Sequence, residues 1–488
     1  MVMVMVLPLL LLVLLPQVVA AGHMLGAVKR SKAVSLNAPA GFEALVAAVG
    51  EVVDGYCQLA ALPVTTPRDQ VAQPQPLPQG IRRKLIQAGI PIVTHQLAVD
   101  PAGDYRDAPV AVRYHDTITF AGGINRPKVI KCMDQLGREY KLLVKAGSDD
   151  LRQDAVMQQF FTLINALLRQ DREAAQRSLA VVGYKVVPFS PSAGAVEWVQ
   201  GTTAMGDYLL GADRRGGAHA RYKKEGSLNW MECSQLYASS KDAAQQRANF
   251  DQICSRFPPV MHHFFHEHFR QATHWFDARC TYSRSVAVAS MAGWVLGLGD
   301  RHAGNILLDL RTAACVHIDL GVAFEQGRFL NTPELVPFRL TRDVVDGLGA
   351  AGLEGPMRRC SEVCLRVLRH AKAALMQVVE VMLHDPLYKW ALTPVKAQRR
   401  QQEAVKEGGE GLGPGSSGAA GQAGGPSSGL AGNADAQRTV LRVKQKLEGT
   451  DSGSDGPRGV SSQVSTLLAE ATDPDKLCRM FVGWAPWV

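Results

Sequence analysis

Gly297-Leu298-Gly299-Asp300-Arg301-His302-Ala303-Gly304-Asn305, followed by Val316-His317-Ile318-Asp319-Leu320-Gly321, is the strongest signal in this chain. Between its two halves, Ile306 to Leu310 and Cys315 to Asp319 read as strand, turn and strand. Phosphoryl transfer needs one group to orient an attacking hydroxyl and others to hold divalent metal against phosphates. Asp300, with Asn305 five positions later and Asp319 one hairpin downstream, offers such groups as one ordered set. Hard carboxylate and amide oxygens suit Mg²⁺ or Mn²⁺. Polar residues capping turns would explain any one of these positions, but not the ordered set.

Upstream, Leu142-Leu143-Val144-Lys145 ends a strand and Asp149-Asp150-Leu151-Arg152-Gln153-Asp154 opens a helix. A strand-borne ammonium can reach nucleotide phosphates, and a carboxylate on the next helix can hold it in place. The helix is expected to start near Ser148, with Leu151, Ala155, Phe160, Leu163 and Leu167 on its buried side. Val110 to Phe120, Lys128 to Met133, Tyr140 to Lys145, 181–189 and 195–200 read as strands, and 205–392 as mainly helical. Ala121-Gly122-Gly123-Ile124-Asn125 reads as a hairpin turn. Tyr184 and Trp198 are large aromatics, which are usually buried.

Composition sets bounds. The 488 residues are 46% hydrophobic, which excludes a wholly disordered chain. The net charge of +8 permits acidic partners, but the basic residues are scattered, so direct nucleic-acid contact by this stretch is not expected. Nine cysteines without CxxC spacing argue for a reducing compartment and against a disulfide framework or zinc site. The uncharged run Met1 to Val19 conflicts with that compartment; it is long enough for a membrane span, but lacks a basic flank and contains Pro8 and Pro16. Phe42, Leu45, Val46, Val49, Val52, Val53 and Tyr56 follow helical spacing, and prolines from Pro63 to Pro78 mark a connector. Residues 401–436 and 449–460 read as flexible Gly/Ser-rich linker around a helix-like run with Val440, Val443 and Leu447.

The order Asp300-Arg301-His302, where ordinary protein kinases carry His-Arg-Asp, combined with His317-Ile318-Asp319, resembles the phosphatidylinositol 3-kinase-related protein kinase family. The resemblance covers about residues 81–395 and 438–488. It implies an α+β, bilobal protein-kinase-like fold: a mixed β small lobe and a mainly α large lobe, with an N-terminal helical remnant and a FATC-like tail. The implied divisions are 1–80 for the remnant and Pro-rich connector, 81–200 for the small lobe and 201–395 for the large lobe. A linker region at 396–460 and the tail at 461–488 follow. The family's long helical solenoid does not precede these residues, so a fragment, an incomplete gene model or a shortened relative is expected.

By the same resemblance, Asp300 orients or deprotonates the substrate hydroxyl and His302 stabilises charge on the transferring phosphoryl group. Asn305 and Asp319 hold the metal, Lys145 meets the ATP phosphates, and Asp154 is its partner. Gly122 and Gly123 cover the phosphates, while Tyr184, Glu197, Trp198 and Val199 form the adenine pocket and hinge. The implied activity is that of a non-specific serine/threonine protein kinase using ATP with Mg²⁺ or Mn²⁺ on Ser/Thr-Gln sites. DNA-damage sensor proteins and a second copy of the chain are the implied partners, and the nucleus the implied location. A lipid kinase of the same superfamily would carry a Lys/Arg cluster after Gly321 to neutralise inositol phosphates. Between Val322 and Pro337 there is only Arg328, against Glu325 and Glu334, so protein substrate is expected. A catalytically silent scaffold is the third reading, and the presence of Lys145, Asp154, Asp300, His302, Asn305 and Asp319 speaks against it. Trp484 and Trp487, close to the C-terminus, are expected to anchor the tail.

Overall fold

The computed structural model describes residues 42–66, 73–87, 90–96, 107–122, 126–146, 151–190, 192–212, 216–383, 430–451 and 456–488. The run 1–21, Gly123 to Asn125, Ser148 to Asp150 and the first part of the expected linker lie outside these residues. The chain forms two compact units, one drawn from Met1–Gln159 and Tyr184–Gln200, the other from Phe160–Gly183 and Gly201–Val488.

The first unit is a seven-stranded antiparallel sheet backed by helix α1 (Phe42–Ala61). Its strands are β1 (Gln75–Pro76), β2 (Ala111–Tyr114), β3 (Thr117–Phe120), β4 (Lys128–Asp134), β5 (Glu139–Ala146), β6 (Val186–Ser190) and β7 (Ala193–Glu197). They lie in the order β1-β3-β4-β5-β7-β6, with β2 also pairing β4. The apolar spacing of α1 explains its seat: Val52, Tyr56, Leu59 and Ala60 recur on one face and are buried with Ile118, Ile130, Leu142, Val144 and Ala195. Polar atoms there are paired. The Tyr56 and Tyr114 hydroxyls stand 3.1 Å apart, and Lys128 Nζ donates to the Ala60 carbonyl in the last turn of α1 at 2.8 Å. A cation at that end also complements the helix dipole. One helix among the described residues, Glu43–Ala61, is long and apolar enough to cross a membrane, and its buried face belongs to this core.

Helix α2 (Leu151–Gln170) begins beside the strand that carries Lys145. Its approach depends on Gly194, which pairs with Lys145 across β5 and β7; a Cβ there would stand 2.7 Å from Leu151 Cδ1 and from the Val187 carbonyl oxygen. Strand β6 is shorter than expected, because residues 181–185 make only an isolated bridge between Val182 and Val316.

The second unit is helical around α4 (Ala272–Val295), after α3 (Trp230–Ala238) and before α5 (Pro356–His370). From Tyr282 onward nearly every residue of α4 is buried, as in a helix surrounded by protein on all sides. A small antiparallel sheet, in the order β10 (Cys315–His317), β9 (Ile306–Asp309) and β8 (Thr202–Ala204), carries the expected hairpin and one strand the sequence did not announce.

One expectation needs correction. The linker assigned to 396–460 contains α6 (Leu430–Glu448), which takes in residues 430–436 read as part of the Gly/Ser-rich tract. Val443 and Leu447, at helical spacing, are buried, and that burial repays the ordering the poor local composition disfavours. Helix α7 (Val460–Ala471) then leads into the tail. All nine cysteines are free thiols.

Candidate active site

The end of α4 aims the loop that carries Asp300. Gly297 adopts φ 61°, its N–H donates to the Trp294 carbonyl at 3.0 Å, and the Leu298 N–H donates to that of Gly293 at 2.8 Å. This Schellman closure stops the helix where Gly-Leu-Gly-Asp begins. The segment beyond Asp319 is tied to the same place, since Phe324 N–H donates to the Leu296 carbonyl and Glu325 N–H to that of Gly297, at 2.8 and 2.9 Å.

Asp300 and Asp319 both lie in the left-handed region, at φ 58° and 53°, which Asp tolerates better than most residues. The intervening residues fix them. Asn305 Nδ2 donates to the Asp300 carbonyl at 2.9 Å, leaving Oδ1 as the amide atom able to ligate a cation. Ile318 N–H donates to the Asn305 carbonyl at 3.0 Å, tying the residue before Asp319 to the loop that carries Asp300. His302 is buried, and burial holds its pKa below the ordinary histidine value against the opposing pull of Asp300. Its Nδ1 accepts the Gly304 N–H at 3.1 Å, so the neutral ring carries its proton on Nε2. Asp300, His302, Asn305 and Asp319 therefore belong to one hydrogen-bonded arrangement. A neutral imidazole N–H beside two carboxylates and an amide oxygen can donate to anionic oxygen while the carboxylates accept a proton or a cation.

In the first unit, α2 serves two expected site residues. Asp154 Oδ2 lies 4.0 Å from Lys145 Nζ, and one turn later Gln158 Oε1 accepts the Tyr184 N–H at 3.1 Å. Asp154 is buried, whereas Lys145 keeps part of its side chain exposed. Tyr184 is itself buried. Glu197 is exposed and closes the end of β7, accepting the Lys185 N–H at 2.8 Å, and Val199 follows part-exposed. Trp198 is covered by Lys141, whose Nζ stands 3.4 Å from the ring centroid. Gly122 sits exposed where a Cβ would meet open space, so neither packing nor backbone conformation demands glycine there. Gly123 lies outside the described residues.

Two residues had no part in the site that the sequence reading drew. Arg301 is buried inside the quoted motif and donates to the carbonyls of Gly299, Ile318 and Asp319 at 2.7, 2.8 and 2.5 Å, joining both halves of the site. An arginine between two polar catalytic candidates was the available signal. Glu334 counted only as a charge against lipid headgroups, yet its Oε1 accepts the Asp300 N–H at 2.9 Å.

The C-terminal tail reaches the same unit. Met480, Phe481 and Trp484 line a small hollow with Asp300, His302 and Glu334. Arg339, buried, donates to the carbonyls of Trp484, Ala485 and Val488 at 2.6, 3.0 and 2.6 Å, and its guanidinium lies over the Trp484 ring.

Comparison with known proteins shows what the chain as a whole is similar to. Residues 139–392 match the family described as phosphatidylinositol 3- and 4-kinase, and residues 457–488 match the FATC domain. Serine/threonine-protein kinase ATM of Arabidopsis thaliana is 47% identical over 442 residues, covering 90% of this chain and 11% of that protein. Serine/threonine-protein kinase tel1 of Schizosaccharomyces pombe is 42% identical over 415 residues, covering 81% and 14%. The solved structure titled FAT and kinase domain of CtTel1 superposes with a TM-score of 0.79 at 34% identity, covering 96% of this chain and 30% of that one. The chain thus spans 11 to 14% of the length of these full-length relatives.

Proposed function

The chain belongs to the phosphatidylinositol 3- and 4-kinase family, and on that premise we propose that it is the catalytic end of a serine/threonine protein kinase. The observation that carries this reading is the single arrangement of Asp300, His302, Asn305 and Asp319, together with the similarity to kinases named for serine and threonine. Asp300 accepts the proton of the attacking hydroxyl, and its fixed backbone holds that carboxylate in one direction. His302, neutral with its proton on Nε2, donates to the transferring phosphoryl oxygens. Asn305 Oδ1 and the Asp319 carboxylate hold the divalent cation, which when bound neutralises the phosphate charge. Their chemistry fits Mg²⁺ or Mn²⁺, both of which prefer oxygen ligands and share them with substrate phosphates. Lys145, steadied by Asp154, meets the ATP phosphates; Gly122 and Gly123 cover them, and Tyr184 with Glu197, Trp198 and Val199 receives the base.

The proposed substrates are Ser/Thr-Gln sites in proteins of the nuclear DNA-damage response, following the relatives named ATM and Tel1. A symmetric dimer is proposed for the assembled enzyme, as in the structure titled Complete CtTel1 dimer with C2 symmetry.

Side-by-side assays with ATP, divalent metal, a Ser-Gln peptide and phosphoinositide vesicles test the substrate class. The peptide is expected to be phosphorylated and the lipid not, because Arg328, the one base between Val322 and Pro337, is already paired with Glu325 at 2.6 Å. Efficient lipid phosphorylation without peptide phosphorylation would move the chain to the lipid-kinase reading.

Lys145→Met and Asp154→Ala should each weaken nucleotide use, on the order of tenfold or more, because each removes half of one phosphate-directed unit. Their effects should not add. Nucleotide KM and kcat for the double-mutant cycle decide it, and full additivity would separate the two residues.

A further inference from the structure

We propose that Glu334 is the positioning residue of the catalytic loop, its carboxylate locking the Asp300 backbone to the segment that follows Asp319. The inference rests on the reading that Asp300 receives the substrate hydroxyl. Asp300 sits at φ 58°, a conformation an L side chain rarely adopts, and its N–H donates to Glu334 Oε1. The other oxygen, Oε2, lies over Gly299 and Gly327, where a Cβ on either glycine would collide with it. Neither glycine has a positive φ, so what each supplies is room for the carboxylate. The Glu334 N–H donates to the Gly327 carbonyl at 3.1 Å, closing residues 327–334 into a loop. One side chain therefore joins that loop to the residue before Asp300 and to Asp300 itself.

The lock is made with an acid held near neutrality. Burial of the carboxyl and the charge of Asp300 raise it, while the Asp300 N–H, Arg301 and the neighbouring Trp484 indole oppose, leaving it at about 7. As a residue Glu334 is partly exposed; the inward carboxyl is what is shielded. The indole lies beside the carboxylate without the alignment of a full hydrogen bond. Glu325 and Arg328 from its own segment, Arg442 and Lys446 from α6, Asp451 and Arg458 from the stretch after it and Glu470 from α7 line the hollow on its other side. Glu334 loses its negative charge as pH falls through about 7, and the hydrogen bond to Asp300 weakens with it. The ionised form costs stability, so the contribution is fully present below the ordinary value of 4.5 and is lost as pH rises through about 7. A carboxylate kept there at the expense of stability holds the loop more firmly than an uncharged acceptor could.

The test uses the full chain with ATP, Mg²⁺ and a Ser-Gln peptide across neutral pH. Glu334→Gln should lower kcat roughly tenfold above pH 7 and flatten the acid limb, with KM for ATP nearly unchanged. Gly327→Ala, which keeps the carboxylate but displaces it, should reproduce the loss. Gly327→Ala combined with Glu334→Ala should be no worse than Glu334→Ala alone, since the collision is gone. Hydrogen exchange of the peptide spanning 297–302 should quicken in Glu334→Ala. Parental kcat and an unchanged acid limb in Glu334→Gln would overturn the proposal, as would unchanged exchange in Glu334→Ala. If Glu334→Gln fails to fold, Gly327→Ala decides. If the parent chain transfers no phosphate, the phosphotransfer reading fails, and the exchange measurement alone decides the lock.

Discussion

Asp319→Ala is expected to remove most phosphate transfer, by on the order of a hundred- to a thousandfold, while the chain stays folded. Asp319 supplies the charged half of the proposed cation site, and losing one preorganised charge-stabilising group commonly costs a hundred- to a thousandfold in turnover. The fold should survive because the backbone contact there uses the Asp319 carbonyl, which accepts from Arg301 and remains in the variant. Alanine suits φ 53° less well than Asp does, so part of any loss could come from the backbone. Asp319→Asn separates the two, because Asn tolerates the left-handed region and removes only the charge. Both variants should fall together in steady-state assays at saturating metal, with thermal unfolding close to the parent. Turnover like the parent's in either would reject Asp319 as the cation-holding carboxylate.

Loss of the tail anchor should be nearly as severe, and through the fold. Trp487 is fully buried, with its ring 5.2 Å from that of Trp230 and 5.0 Å from that of Tyr237, both on α3. The Tyr237 hydroxyl in turn donates to the Cys478 and Met480 carbonyls, each at 2.6 Å. Trp487→Ala should cost about 3–5 kcal/mol, the usual range for truncating a large core aromatic. Removing residues 484–488 should cost more, because it takes away the three carbonyls that satisfy the buried Arg339 guanidinium. Trp484, Phe481 and Met480 border the hollow that holds Asp300 and His302, so activity should fall with stability. Thermal unfolding and peptide phosphorylation of both variants check this. A tail deletion that unfolds at the parental temperature and stays fully active would show that the tail does not anchor the unit.

Much of this site was legible before the fold. The order Asp300, Asn305, Asp319 reflects a loop-and-hairpin whose geometry is local, and local geometry leaves its mark in spacing. That a carboxylate of the next helix would meet Lys145 was equally readable from a strand followed at once by a helix, while the choice of Asp154 over Asp149 and Asp150 came from the family resemblance. Two apolar side chains near a chain end announced the tail's docking, since exposed tryptophans would be costly. What stayed hidden depends on contacts across long separations. Glu334 meets Asp300 across thirty-four positions, and Arg339 meets Val488 across one hundred and forty-nine; no periodicity records either contact. The helix at Leu430–Glu448 was underestimated because its first residues share the composition of the tract before them. Its stability comes from burying Val443 and Leu447 rather than from local propensity. Short strand β8 escaped for the same reason, since three residues carry too little pattern to declare themselves.

The most direct test of the central claim is transfer of the ATP γ-phosphate to a Ser-Gln peptide by the purified 488-residue chain, measured beside its Asp300→Asn variant. The parent should label the peptide only when ATP and divalent metal are both present, with Asp300→Asn reduced to background; equal labelling by the two proteins, or none above background by the parent, would contradict it.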